Sequence, residues 1–224
     1  MSERLAACDI NLFPPLATRH VRELPAGMLL GRIHAQAGPH PYRWNEFRQW
    51  GPTTSRFDHQ EPPAHHDAGR AVMYATPNLP GTDNRLRTLR TCVAECFGER
   101  GNIELSRDDP YLVLFRLARP LRLLNVADSD WVALAGGNAA ISSGPRAVCR
   151  DWARAIWERY TGPDRLDGLI YTCSNIPSDR SVALWEPAIT AVPPKPALHL
   201  PLTSADLRAD LETIAIQLHL GVIP

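Results

Sequence analysis

The chain has 224 residues, 44% of them hydrophobic, which is typical of one globular domain with a substantial core. Lysine plus arginine and aspartate plus glutamate both number 24, so the formal net charge is zero at pH 7. A neutral chain lacks the overall basic field that binds nucleic acid without sequence preference or holds an anionic membrane surface. Any anionic ligand must therefore be bound by local groups.

Two features favour a cytoplasmic protein. No apolar run approaches the roughly 20 residues that span a bilayer, and acidic residues interrupt the N-terminal segment where a secretory signal needs an apolar core. The five cysteines are odd in number and irregularly spaced, which argues against a disulfide framework. We therefore expect free thiols in a reducing compartment.

The first half of the chain predicts two strands around a long irregular segment. Residues 1–27 lack a clear hydrophobic period and are predicted to form an extended arm. "GMLLGRIHA" predicts a strand that carries Arg32, and "RAVMYATPN" predicts a buried strand that carries Tyr74 and ends at Pro77. The proline- and glycine-rich segment between them is expected to serve function, since long loops inside compact domains usually do.

A helix with one carboxylate near its apolar face is predicted over residues 87–101, "RTLRTCVAECFGERG". The apolar positions follow the period of one helix face and are Leu89, Cys92, Val93, Cys96 and Phe97. At 100° per residue Glu95 lies roughly 130° from the centre of this stripe. We therefore expect Glu95 at the margin of the packed face.

The second half predicts four strands and two helices. "YLVLFRLARPLRLLNV" predicts two strands around Pro120, and "DGLIYTCSN" and "SVALWEPAIT" predict two more, joined by a turn. A helix is predicted over residues 143–160, capped by Ser143 with Pro145 in its first turn. "TSADLRADLETIAIQLHLG" predicts a capped amphipathic helix closed by Gly221.

Strands and helices follow one another without regular alternation, which predicts a single α+β domain. The main domain is expected over residues 28–195, and residues 196–224 are expected to form a linker and a helix packed on it. Standard nucleotide and nucleophile motifs, such as GxGxxG, the P-loop and GxSxG, are absent.

No metal site is predicted, although two groups of residues contain metal-binding side chains. The loop "DHQEPPAHHD" contains His59, His65, His66 and Asp67, but adjacent histidines on a proline-rich loop lack the fixed spacing of a strong site, so a solvated loop is favoured. Cys92 and Cys96 lie one helical turn apart without a second ligand pair, which is typical of core thiols.

The ordered set "GRIH", "SRFD", "AVMYAT", "CVAECFG" and "DGLIYTCSN…SVALWE" resembles the RES-domain family, named for its arginine, glutamate and serine. The resemblance covers residues 28 to about 195, with extra residues after "SRFD" and before the helix. It implies a mixed or antiparallel split sheet similar to that of ADP-ribosyltransferases. It also implies an NAD-degrading toxin of a bacterial toxin–antitoxin pair.

The resemblance implies specific site residues. The family arginine matches Arg56 in "SRFD". Arg43 in "YRWN" is closer to the family's residue pattern but lies farther from the strand that carries the tyrosine. The family tyrosine and glutamate match Tyr74 and Glu95. The family serine falls on Cys173 when no gap is allowed, whereas Ser174 has the equivalent side chain. Both stay candidates for contact with NAD, and only one can face the site because adjacent strand residues point to opposite sides.

The chemistry agrees with these residue types. Cleavage between nicotinamide and ribose passes through an oxocarbenium-like transition state, which the carboxylate of Glu95 would stabilise. Arg32 and Arg56 would donate to the diphosphate, although a surface role for Arg32 is equally open. NAD+ is the expected substrate and no further cofactor is implied.

Several alternatives stay open at this point. The acceptor is water or inorganic phosphate, and ADP-ribosyl transfer to a macromolecule and an inactive NAD-binding module are the alternative functions. The resemblance implies an Xre-like helix-turn-helix antitoxin as partner, and self-association is undecided.

Overall fold

A computed structural model describes residues 4–39, 41–79 and 85–224. The strands in chain order are β1 (Val21–Leu24), β2 (Leu29–Ala35), β3 (Trp50–Gly51), β4 (His65–His66), β5 (Val72–Pro77), β6 (Asn102–Glu104), β7 (Pro110–Arg116), β8 (Leu121–Asn125), β9 (Gly168–Thr172), β10 (Arg180–Trp185), β11 (Leu198–Pro201) and β12 (Gly221–Ile223). The α-helices are α1 (Arg85–Phe97), α2 (Trp131–Leu134), α3 (Arg146–Arg159) and α4 (Ala205–Leu218).

Eight strands form the main sheet in the order β1-β8-β9-β10-β5-β2-β7-β11. The pairing of β8 with β9 is parallel, and the other neighbours in this sheet are antiparallel. The two halves of the sheet meet at β5 and β2, which pair only through Leu30 with Pro77 and Gly31 with Thr76. The predicted α+β fold with a mixed split sheet is confirmed.

Helix α1 packs on β2, where a glycine permits close approach. The apolar side chains Leu89, Val93 and Phe97 are buried as the periodicity predicted. A Cβ atom at Gly31 would lie 2.6 Å from Cγ2 of Thr88, a distance that side chains essentially never adopt. A larger residue would therefore push α1 away from the strand.

The N-terminal segment is part of the core, and the prediction of an extended arm missed this. Its β1 forms one edge of the main sheet by pairing with β8, and Leu5 and Phe13 are buried. The Phe13 ring lies 4.9 Å from that of Trp131 and 5.6 Å from that of Trp152. Contacts this distant in sequence leave no local period, so the sequence pattern did not reveal them.

Two helix ends differ from the prediction. Helix α3 begins at Arg146 with Pro145 as the preceding cap residue, and no side chain caps it, so Ser143 does not have the predicted role. Helix α4 is capped by Ser204, as the pattern "TSAD" indicated. It ends at Leu218 with His219 as a left-handed cap residue, so Gly221 does not close it as predicted. Gly221 instead starts β12, which pairs with β6.

All five cysteines are free thiols. Within residues 4–39, 41–79 and 85–224, no group of three or more histidine, cysteine, aspartate or glutamate side chains could hold a metal ion. In the same ranges, no helix is long and apolar enough to cross a membrane.

One histidine of the predicted solvated loop is buried. His65 and His66 are exposed in β4, whereas His59 is fully buried with its ring 4.6 Å from Trp157 and 4.8 Å from Trp185. Neither ring nitrogen of His59 has a hydrogen-bond partner among the residues that the structure describes. Burial, followed by the charges of two nearby arginines, lowers the pKa of His59 well below its usual 6.5.

The buried His59 is expected to make the protein less stable in mild acid. Below pH 6.5 the unfolded chain protonates this histidine while the folded chain does not, so stability falls as the pH is lowered. His59→Leu should reduce the slope of the unfolding free energy against pH by up to about 1.4 kcal/mol per pH unit between pH 6 and pH 5. Urea unfolding at pH 7, 6 and 5 measures this. The exposed control His66→Leu should keep the wild-type slope, and an unchanged slope in His59→Leu would contradict the prediction.

Candidate active site

A cavity of about 390 Å³ lies where β2 and β5 separate. Beyond their two residue pairs β2 and β5 diverge, so that Arg32 and Ile33 of β2 do not pair with Tyr74 and Ala75 of β5, and all four residues line the cavity. Helix α1 contributes Glu95 to the wall. The split in the sheet therefore creates the cavity, and its volume lies in the usual range for small-molecule sites.

Glu95 is held at the cavity by Ser181, whose role no sequence pattern indicated. The Ser181 hydroxyl donates to Oε1 of Glu95 at 3.0 Å. Ser181 is buried and pairs across β9 and β10 with Tyr171, which also lines the cavity. Burial, reinforced by the Glu95 carboxylate, raises the pKa of Tyr171 well above 10, so its phenol stays protonated at neutral pH.

The structure separates the two serine candidates. Cys173 is fully buried and does not line the cavity, whereas Ser174 does. Burial and the negative charge of the nearby Glu95 carboxylate raise the pKa of Cys173 to about 12, so its thiol stays protonated at neutral pH. The expectation that Cys173 contacts a ligand does not fit its burial.

Helix α1 is fastened to the connection between β9 and β10, which fixes Glu95 against Ser181. Asp179 is buried and accepts hydrogen bonds from Arg87 Nε at 2.9 Å, Arg90 Nη2 at 2.9 Å and Thr91 Oγ1 at 2.7 Å. One turn farther along, Asn175 Nδ2 donates to the carbonyl oxygen of Ala94 at 2.7 Å. Such preorganisation is what electrostatic stabilisation of a transition state requires.

Tyr74 anchors the loop that carries Arg56. Its hydroxyl accepts from the backbone N–H of Phe57 and donates to Oδ1 of Asp58, both at 3.0 Å. Asp58 is fully buried, lies 2.5 Å from Nη2 of Arg48, and accepts from the amide and hydroxyl of Thr53 at 2.7 Å each. With its hydroxyl engaged, Tyr74 presents its ring to the cavity.

The arginine candidates lie in different places. Arg56 lines the cavity, and its buried Nε has no hydrogen-bond partner in the described part of the chain. Arg43 lies in a separate depression beside Trp44. Arg32 also lines the cavity and donates to the carbonyl oxygens of Trp44 at 3.4 Å and Glu46 at 3.3 Å. Burial lowers the pKa of Arg32 to about 10, so it stays charged. Neither Arg32 nor Arg56 has a carboxylate partner within the described ranges.

The charges around the cavity favour an anionic ligand. Four arginines and two glutamates line it, namely Arg32, Arg56, Arg100, Arg146, Glu95 and Glu99.

Arg146 and Glu99 were not identified from the sequence, because neither lies in a motif and their elements meet only in the fold. Strand alternation puts Ser181 on the same face of β10 as Ala183, and this can be read from the sequence. That Glu95 lies opposite this face depends on long-range packing.

The fold is similar to that of a solved chain. No protein-family model matches the sequence, and no curated protein matches it. A chain in the crystal structure of the M. tuberculosis MbcT-MbcA toxin-antitoxin complex superposes with a TM-score of 0.53 at 13% sequence identity. The similarity covers 92% of this chain and 96% of that chain. The protein is thus similar in fold to a component of a toxin–antitoxin complex.

Proposed function

We propose that this protein cleaves NAD+ at the bond between nicotinamide and ribose. The observation that carries the proposal is the carboxylate of Glu95, held by Ser181 at the wall of a cavity with an excess of arginines. Departure of nicotinamide leaves positive charge on the ribose, and a fixed carboxylate stabilises that charge. Nicotinamide leaves as a neutral molecule, so no general acid is needed.

The other residues have supporting roles in this proposal. Arg56 and Arg32 bind the diphosphate, since both line the cavity and lack a carboxylate partner in the described chain. The ring of Tyr74 stacks on the nicotinamide or its ribose. Ser174 contacts the substrate from the end of the β9 strand. NAD+ is the substrate, and no separate cofactor takes part.

The biological role proposed is that of a cytoplasmic toxin. The fold similarity to a chain of a toxin–antitoxin complex and the ordered RES-like residues support it. The partner would be an antitoxin of the Xre-like helix-turn-helix class. Depletion of NAD+ would explain why such a protein requires a partner that restrains it.

Incubating the purified protein with NAD+ labelled in the ADP-ribose part tests the proposal. We expect nicotinamide release, with free ADP-ribose as product if water is the acceptor and a phosphorylated ADP-ribose if added phosphate is used. Label on a macromolecule would instead identify a transferase. Binding of NAD+ without nicotinamide release would identify an inactive binding module and overturn the proposal.

A further inference from the structure

An ion pair joins two elements at the wall of the same cavity. Glu99, just beyond the end of α1, pairs through Oε1 with Nη2 of Arg146 at the start of α3. Both residues line the cavity together with Arg56. Glu99 is the one carboxylate partner that the described residues offer to Arg146.

The pair is accessible to solvent and can therefore be exchanged. The side chains of Arg146 and Glu99 are 36% and 59% exposed. Surface ion pairs of this kind typically contribute between about 0 and 1 kcal/mol, because water screens the attraction. The Glu99 pair has one nitrogen–oxygen contact, whereas a diphosphate carries more negative charge and can accept two parallel hydrogen bonds from one guanidinium group. A bound diphosphate would therefore compete with Glu99 for Arg146.

Arg146 and Arg56 come from different parts of the chain and line the same cavity. Arg146 begins α3, and Arg56 lies in the loop that Tyr74 anchors. The hydroxyl-bearing residues Thr54, Ser55 and Ser142 also line the cavity. Two guanidinium groups and several hydroxyls are thus available in one cavity to contact an anion.

We propose that Arg146 binds the diphosphate of a dinucleotide substrate together with Arg56, and that Glu99, the ion-pair partner of Arg146, competes with the diphosphate for this arginine. The identity of the substrate rests on the proposed function, whereas the diphosphate site rests on the two arginines and their surroundings. Binding exchanges the Glu99–Arg146 pair for an Arg146–phosphate pair. Arg146 is therefore a residue that determines specificity for diphosphate-bearing ligands.

A purely structural role would have a different signature. If the pair only fastened the end of α1 to α3, loss of either partner would loosen the same contact and change ligand binding in the same direction. Partner exchange instead predicts opposite signs: removing Arg146 weakens binding, and removing the Glu99 charge strengthens it. The two variants can therefore separate the explanations without knowledge of the catalytic rate.

Titration with ADP by calorimetry tests the proposal, with adenosine as the uncharged comparison. Arg146→Gln should weaken ADP binding about tenfold or more, and Glu99→Gln should strengthen it about two- to fivefold. Glu99→Gln should have little effect in the Arg146→Gln background. Arg159→Gln, at the far end of α3, makes the same charge change and should bind ADP like wild type.

Each outcome decides the proposal. Weaker binding in both single variants, an equal gain from Glu99→Gln in both backgrounds, or normal ADP affinity in a folded Arg146→Gln variant would overturn it. Nicotinamide release by wild type together with normal ADP affinity in Arg146→Gln would reject this inference and leave the proposed function standing. ADP binding that depends on Arg146, without any nicotinamide release, would support this inference and reject the proposed function.

Discussion

Replacing Glu95 with glutamine is expected to reduce nicotinamide release from NAD+ at least about 100-fold while leaving the fold intact. Glutamine has nearly the same shape, and its amide oxygen can still accept the hydrogen bond from Ser181. The negative charge facing the developing oxocarbenium ion is lost. Because the charge acts in the transition state, the loss should lie mainly in kcat.

Steady-state rates, the thermal unfolding midpoint and ADP affinity should be measured on the same Glu95→Gln preparation. Glu212→Gln is a suitable control, since Glu212 lies exposed on α4, does not line the cavity, and pairs with Arg208. The control should keep wild-type turnover. Turnover of Glu95→Gln within twofold of wild type, in a folded protein, would remove the carboxylate from the mechanism.

Replacing Asp58 with alanine is expected to cost about 3 kcal/mol of unfolding free energy, because it removes one partner of a buried ion pair. The Arg48 side chain is only 15% exposed and would lose its carboxylate. The hydroxyl of Tyr74 and the amide of Thr53 would lose their acceptor as well. The Asp58 carboxylate anchors the loop that carries Arg56, so the position of Arg56 should also become less defined.

Urea unfolding at pH 7 measures this cost. The matched control is Asp67→Ala in the same irregular segment. Among the described residues, the Asp67 carboxylate accepts a single exposed hydrogen bond, from the amide of Gly69 at 2.9 Å. A cap of this kind is worth about 1 kcal/mol. Equal, small losses in the two variants would show that Asp58 does not anchor the loop.

Local patterns were sufficient for much of the fold. The apolar period of α1 placed Glu95 beside the packed face, and short apolar runs bounded by turns identified β2, β5, β9 and β10. These features depend on neighbours within one or two turns of helix or along one strand, so the sequence records them directly. The candidates Arg56, Tyr74, Glu95 and Ser174 came from the ordered resemblance, and all four line one cavity.

The remaining features depend on contacts between distant parts of the chain. Ser181 reaches Glu95 across 86 residues, and no local period records which serine a helix will meet. Cys173 is buried and its neighbour Ser174 is not, because α1 packs over the end of the β9 strand. The cavity itself exists because β2 and β5 part after two residue pairs, and strand register and divergence are set by packing on both faces of the sheet.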